Sequence, residues 1–322
     1  MTVDRFSEPA GFQWGFITNA DGARLRTGYV APDDPVKGTV VLLPGFRECT
    51  EKYFEVIRDF LSRGYAVATF DWSGQGGSER LLKAEPQKAH GQPYEHHIRD
   101  LSLFLSTLPP GDGPLIMAAH SMGAHIGMRY MAGHPGVFDR AVLSSPMIDV
   151  LTGAMPKNFA RSVAKLAESS GAGAKYIPGG HDWTPHKEVF QDNPRTSDPV
   201  RFANIHDIYA QKPDLKIGDP TYGWIHHTFQ SIDALSDPAV LKKIATPVLM
   251  QVSRKDTIVD RKAQDRAAPL MQNCKTIEIA DARHEIWMER DELRQLWLAE
   301  IDRFLAKPAA PRPGQDIAPP RP

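Results

Sequence analysis

Leu115-Ile116-Met117-Ala118-Ala119 is an apolar run that leads, without a linker, into His120-Ser121-Met122-Gly123 and then into a helical pattern over 122–132. A serine between a strand and a helix, with small residues two places before and two places after it, is the setting of a nucleophile elbow. The turn must be sharp for the hydroxyl to stand clear of the backbone, so positions 119 and 123 lie too close for large side chains. Ala119 and Gly123 satisfy that demand. The usual first residue is glycine, so Ala119 is a small departure. A helix that starts at the serine also points its positive end and free N–H groups at any negative charge developing there. The bland alternative is a serine in an ordinary strand–helix turn.

The rest of the chain supplies a context for such a turn. Strand-like runs alternate with helical patterns, the mark of a mostly parallel sheet with helices on both faces, an α/β architecture. The spacing predicts an opening hairpin of Gln13–Thr18 and Arg24–Val30, then strands at Thr39–Leu43, 65–70, 115–119 and 139–144. Helices are expected over 52–63, 94–108 and 122–132. Strand runs then vanish, and Gly, Pro, Trp and His become frequent. The alternation resumes with strands at 247–252 and 276–280 and helices at 261–271 and Asp291–Leu305. The predicted organisation is a core in two parts, residues 1–146 and 236–306, an inserted helical cap at 147–235, and a Pro-rich unstructured tail at 307–322.

A serine hydroxyl is a weak nucleophile unless a base takes its proton. In sheets of this kind the partners follow in the order serine, acid, histidine. His284 is the one histidine after the resumed strands, in a loop at a strand's carboxyl end. The loop after the preceding strand offers Asp256, with Asp260 as competitor. The acid's task is to hold the imidazole in one tautomer and stabilise its cation. Two backbone donors are needed for the tetrahedral oxyanion. Met122 N–H follows the nucleophile, and Phe46 N–H lies in Pro44-Gly45-Phe46-Arg47-Glu48, the loop after strand Thr39–Leu43.

With these segments in hand the chain resembles α/β-hydrolases of the lysophospholipase and monoacylglycerol-lipase type, the serine aminopeptidase S33 group, and is similar to its bacterial lysophospholipase L2 branch. The resemblance spans about residues 20–306. It rests on Leu43-Pro44-Gly45-Phe46, Asp71-Trp72-Ser73-Gly74-Gln75-Gly76-Gly77-Ser78, the elbow, Lys255-Asp256-Thr257-Ile258-Val259 and Ala282-Arg283-His284-Glu285. It implies a cap over the site and hydrolysis of lipid or other carboxylic esters without metal or cofactor. Pro44 stands where lipase relatives often have histidine. Peptidase, thioesterase and cofactor-free perhydrolase activities of the same fold remain as alternatives, as does a catalytically silent ligand-binding module.

Other signals are weaker. The 322 residues carry 38 Lys+Arg against 39 Asp+Glu, a formal net charge of −1, which argues against a general nucleic-acid binder. Two cysteines, Cys49 and Cys274, cannot build a disulfide framework or a cysteine zinc site. No run approaches a membrane span or a signal peptide, so a cytoplasmic setting is expected. Peripheral association with the inner face of a membrane leaves no such mark and stays open, and oligomeric state is not legible. Gly74, Gly76 and Gly77 lack the spacing of a phosphate cradle, and Asp71 precedes the serine, so a turn-shaping role is expected of it. The pairs His96-His97 and His226-His227 have no acidic cluster beside them, and no metal site is expected. In the cap, Leu151, Met155, Phe159 and Leu166 form an apolar stripe. It either packs on the core or, through Met155 and Phe159, lines an acyl pocket, with Trp183 and Trp224 as candidate walls.

Overall fold

The structure is a computed structural model that describes residues 4–33, 36–111 and 113–307. Its strands are β1 (Gln13–Thr18), β2 (Arg24–Val30), β3 (Thr39–Leu43), β4 (Ala66–Phe70), β5 (Leu115–His120), β6 (Arg140–Ser144), β7 (Val248–Val252) and β8 (Cys274–Glu278). They form one sheet in the order β1-β2-β4-β3-β5-β6-β7-β8. The β1–β2 hairpin runs antiparallel, as does β2 against β4; every pairing from β4 to β8 is parallel.

Parallel strands covered on both faces must be apolar at nearly every position, and these are. Val41 and Leu43 of β3, Met117 and Ala119 of β5 and Leu143 of β6 enter one buried cluster. Val40, Leu42, Ile116, Ala118 and Val142 enter the other. Helices α1 (Phe54–Leu61) and α9 (Asp291–Leu305) cover the second face, α9 through Leu293, Trp297 and Ile301. Helices α2 (Tyr94–Ser106), α3 (Ser121–Gly133) and α8 (Arg261–Ala267) lie on the first. Removing such a tryptophan or isoleucine side chain costs about 2–5 kcal/mol, because transfer and cavity terms add.

Among the described residues no strand occurs between β6 and β7. That stretch holds α4 (Lys157–Ser169), α5 (Pro199–Gln211) and α6 (Tyr222–Ser236), followed by the short α7 (Pro238–Leu241). Asp198 starts α5 by accepting from Val200 and Arg201 N–H, and Thr221 starts α6 by accepting from Trp224 N–H.

Boundaries differ from the sequence reading where short turns intervene. The expected 52–63 helix begins as a 3₁₀ turn, Thr50–Tyr53, before α1, and the 261–271 helix stops at Ala267 because Pro269 follows. The expected 276–280 strand sits two residues earlier, where Cys274–Glu278 pair with β7. Apart from Lys307, the expected tail lies outside the described residues.

The sheet's order sets the position of the site. The chain passes from β3 to β4 on one side and returns as β5 on the other. The loops after β3 and β5 therefore diverge at the carboxyl edge and leave a crevice, the place where open α/β sheets bind ligands.

Candidate active site

Ser121 opens α3 directly after β5 and holds a φ of 49°. Left-handed backbone at a residue with a side chain is strained. Close packing around the turn holds it there: a Cβ on Gly123 would lie 2.4 Å from the carbonyl oxygen of Pro44 and 2.6 Å from that of Leu43. Only glycine lets α3 approach the end of β3 so closely.

Three side chains from three strand ends converge. His284 Nδ1 lies 2.7 Å from Asp256 Oδ2, and its Nε2 lies 3.0 Å from Ser121 Oγ. All three residues are buried. Asp256 Oδ1 accepts the N–H groups of Ile258 and Val259 at 2.8 and 3.0 Å. Burial alone would raise the Asp256 carboxyl, but the adjacent imidazole and these N–H groups more than offset it and hold the pKa below its ordinary value. With its Nδ1 proton donated to the carboxylate, the imidazole leaves Nε2 free to accept from the serine hydroxyl. Asp260, the competing acid, accepts instead from Lys262 N–H at the start of α8.

The loop after β3 approaches from the other side. The N–H groups of Gly45, Phe46 and Arg47 differ in what they meet. Gly45 N–H donates to the Glu48 carboxylate, and Gly45 C=O accepts from Gln75 Nε2 at 2.7 Å. Arg47 N–H, at a residue with φ of 62°, donates to Gln75 Oε1 at 3.1 Å. Phe46 N–H has no acceptor among the described residues. Met122 N–H, in the first turn of α3, has no carbonyl one turn back within its helix.

A cavity of about 240 Å³ adjoins Ser121 and His284. Phe46, Trp183, Phe202, Ile205, Tyr209 and Ile258 line it together with charged groups of Arg47, Glu48, Lys52, Glu188, Arg195 and Glu285. These charges were not singled out from sequence. Nothing in their spacing marks them, because they are gathered from the β3 loop, the 3₁₀ turn Thr50–Tyr53, the stretch between β6 and β7 and the residue after His284. Glu188, from the stretch between β6 and β7, accepts from Arg47 at 3.1 Å and from Arg195 at 2.8 Å, and these cations hold its pKa at about 2 against the opposing effect of burial.

The four candidates for a substrate wall divide. Trp183 lines the cavity. Trp224 stacks on Phe46 with ring centroids 3.8 Å apart, bracing the β3 loop from behind. Met155 and Phe159 do not line the cavity: they are 42% and 59% exposed, and Leu151 and Leu166 share that exposure. The stripe is therefore exposed to solvent, and it neither packs on the core nor lines this cavity. The reason is that α4 begins only at Lys157, so Leu151 and Met155 precede the helix, and α4 turns its alanine face, centred on buried Ala164, inward.

Asp71 is fully buried. It accepts from Arg26, from Thr50 N–H and hydroxyl and from Gly77 N–H, joining the loop after β4 to the turn before α1. The paired histidines diverge: His96 contacts Asp21, while His97 lies edge-on to Trp72. Among the described residues no group of three or more His, Cys, Asp or Glu is arranged to hold a metal ion, and no helix is long and apolar enough to cross a membrane.

This is a sheet of the α/β-hydrolase kind with a serine, a histidine and an aspartate joined at its carboxyl edge. The profile of the family described as serine aminopeptidase, S33, matches residues 34–291, and the chain belongs to that family of α/β-hydrolases. It is 30% identical over 281 residues to the "Probable lysophospholipase L2" of Haemophilus influenzae, covering 86% of each chain. It is also 30% identical over 326 residues to lysophospholipase L2 of Escherichia coli, covering 94% of this chain and 93% of that one. Among solved structures, a soluble variant of the monoglyceride lipase of Saccharomyces cerevisiae with a substrate analogue superposes with a TM-score of 0.71 at 21% identity, over 92% of this chain and 96% of that one.

Proposed function

We propose that this α/β-hydrolase cleaves carboxylic esters of lipids, of the lysophospholipid or monoacylglycerol kind, through an acyl-enzyme on Ser121. One observation carries the reading: His284 bridges Asp256 and Ser121 at 2.7 and 3.0 Å, beside a cavity also lined by Phe46, whose N–H is unengaged among the described residues.

Ser121 Oγ attacks the ester carbonyl carbon while its proton passes to His284 Nε2. The carbonyl oxygen becomes an oxyanion held by the N–H groups of Phe46 and Met122. Asp256 stabilises the imidazolium without taking its proton. The intermediate collapses, the carbon–oxygen bond to the alcohol breaks, and His284 returns its proton to the leaving alkoxide. Water then attacks the acyl-enzyme as His284 takes a proton from it. Collapse releases the acid and restores the Ser121 hydroxyl.

The relatives named lysophospholipase L2 support the lipid choice. Against an aminopeptidase stands the chemistry beside the cavity. The carboxylates of Glu48 and Glu285, which could read a substrate ammonium, are bridged by Lys52 at 2.6 and 2.7 Å. An internal ammonium already fills that place. The cavity falls just below the usual range of ligand sites, about 300–1,000 Å³, so a long acyl chain extends beyond it. A panel of lysophospholipids, monoacylglycerols, amino-acid amides and acyl thioesters tests the reading. Ester turnover exceeding the rest is expected; faster amide turnover overturns it.

A further inference from the structure

The loop that presents Phe46 is short, and its shape is set by side chains rather than by backbone–backbone hydrogen bonds of its own. Pro44 has no N–H, and its carbonyl accepts from Trp72 Nε1 at 2.8 Å. Gly45 directs its N–H into a side chain, Glu48, three residues on. The Glu48 carboxylate occupies the space beside Gly45: a Cβ there would lie 2.7 Å from Glu48 Oε2 and 2.9 Å from the His120 ring. Glycine at 45 and glutamate at 48 are thus one device. The carboxylate fixes the direction of the Gly45 N–H, and Gln75 fixes Gly45 C=O and Arg47 N–H. With both neighbours so engaged, Phe46 N–H is left without an acceptor among the described residues, in a loop that lines the same cavity as Ser121.

Glu48 is itself seated by buried groups. Tyr53 Oη donates to it at 2.5 Å and Lys52 Nζ at 2.6 Å. Lys52 reaches on to Glu285 at 2.7 Å, the residue next to His284. All of these side chains are buried. Burial pushes the Glu48 carboxyl up, but Lys52 and His120 outweigh it and hold the group at about 2. Taking three charges out of water is costly, and such sets are weak sources of stability. Here the three groups join the loop of the oxyanion donor to the loop of the base, the two loops whose separation decides whether a tetrahedral intermediate fits.

We propose that Glu48, seated by Tyr53 and Lys52, is a positioning residue: it orients the Phe46 donor, and the Lys52–Glu285 link holds that donor in register with His284. The inference rests on the Ser121 acyl-enzyme reading above. Glu48 acts through the backbone at Gly45 and needs no contact with substrate. Its loss is expected in the transition state, when the oxyanion forms, rather than in substrate binding.

The full-length chain and its Glu48→Gln and Glu48→Asp variants test this on a short p-nitrophenyl ester and on a trifluoromethyl ketone, which forms a tetrahedral adduct with an activated serine. The amide puts an N–H₂ group beside either the Lys52 ammonium or the Gly45 N–H. The aspartate keeps the charge but withdraws it by one carbon. Complete loss of one oxyanion donor costs about 10²–10³ in kcat, so a displaced donor is expected to cost on the order of tenfold or more. KM should stay within about threefold, and the ketone's inhibition constant should rise by the same factor as kcat falls. Tyr53→Phe, which leaves Glu48 in place and removes one of its donors, should move both quantities together by a smaller factor, and it carries the test if neither Glu48 variant folds. Folded variants with unchanged kcat and ketone affinity, or a loss confined to melting temperature, overturn the proposal. A wild-type chain that hydrolyses no ester overturns the Ser121 reading instead.

Discussion

Replacing Asp256 by asparagine changes one oxygen for an amide nitrogen, and the structure dictates which. Ile258 and Val259 both donate N–H groups to Asp256 Oδ1. The asparagine must keep its carbonyl oxygen there, which turns its amide N–H₂ toward His284 Nδ1. The imidazole then has to accept at Nδ1 and carry its proton on Nε2, where it faces Ser121 as a donor and cannot take the hydroxyl proton. A wrong tautomer of this kind costs roughly 10⁴ in kcat, about 5.5 kcal/mol. The escape is to flip the amide, which restores the tautomer but leaves two backbone donors facing an N–H₂ group. At about 1–3 kcal/mol each, that flip costs roughly 2–6 kcal/mol. The rate loss follows the cheaper route, so Asp256→Asn should lower kcat between about 30-fold and 10⁴-fold. The assay is saturation kinetics on a short p-nitrophenyl ester at pH 8, with a melting curve to show that the fold survives. A folded variant within threefold of wild type would refute the tautomer argument.

Gly123→Ala forces a methyl onto the carbonyls of Leu43 and Pro44, so it should destabilise the chain by about 1–3 kcal/mol in urea denaturation and cut ester turnover at least tenfold; equal stability and activity would contradict the close approach. Arg201, on α5, reaches the core by donating to Glu55, Asp198, Asp291 and the carbonyl of Glu289, and Arg201→Met should cost about 1–3 kcal/mol because Glu55 loses its two short hydrogen bonds and keeps only the longer contacts to Arg5 at 3.6 Å and Arg294 at 3.8 Å; an unchanged stability would show the network to be dispensable. Acid should weaken the fold well above the carboxylate range. Burial pushes His97 and His120 down to about 4 and His125 to about 3. Between pH 6.5 and about 4 the unfolded chain therefore binds protons that the folded chain refuses, and stability falls as pH falls. At pH 5 each histidine contributes a loss of up to about 2 kcal/mol. Asp100, pushed up to about 6 by burial, acts in the opposite sense and returns roughly 1 kcal/mol. Urea denaturation at pH 7.5 and pH 5 should show the net loss, and equal stabilities would contradict it.

What could be read from sequence follows the physics of each segment. β3 and β5 are buried on both faces, so Val40-Val41-Leu42-Leu43 and Leu115–Ala119 announce themselves as apolar runs. The elbow was legible because its steric demand falls on neighbours, Ala119 and Gly123, that sit in the same short window. His284 and Asp256 were accessible through chain order. The helices between β6 and β7 were not legible in the same way. A helix with an alanine face toward α6 and apolar residues toward solvent inverts the usual reading of amphipathicity, so Phe159 and Leu166 pointed the wrong way. The Glu48–Lys52–Glu285 bridge left no trace either. Two of its members look like ordinary solvated charges at a helix start, and the third comes from more than 200 residues away.

The chemistry proposed here makes Ser121 unusually reactive toward phosphorus and carbon electrophiles. Treatment of the folded chain with a fluorophosphonate, followed by peptide mass spectrometry, should yield one stoichiometric adduct on Ser121, lost in Ser121→Ala and slowed in His284→Ala. Folded protein that takes up no label, or carries it on another side chain, would contradict the assignment of the nucleophile.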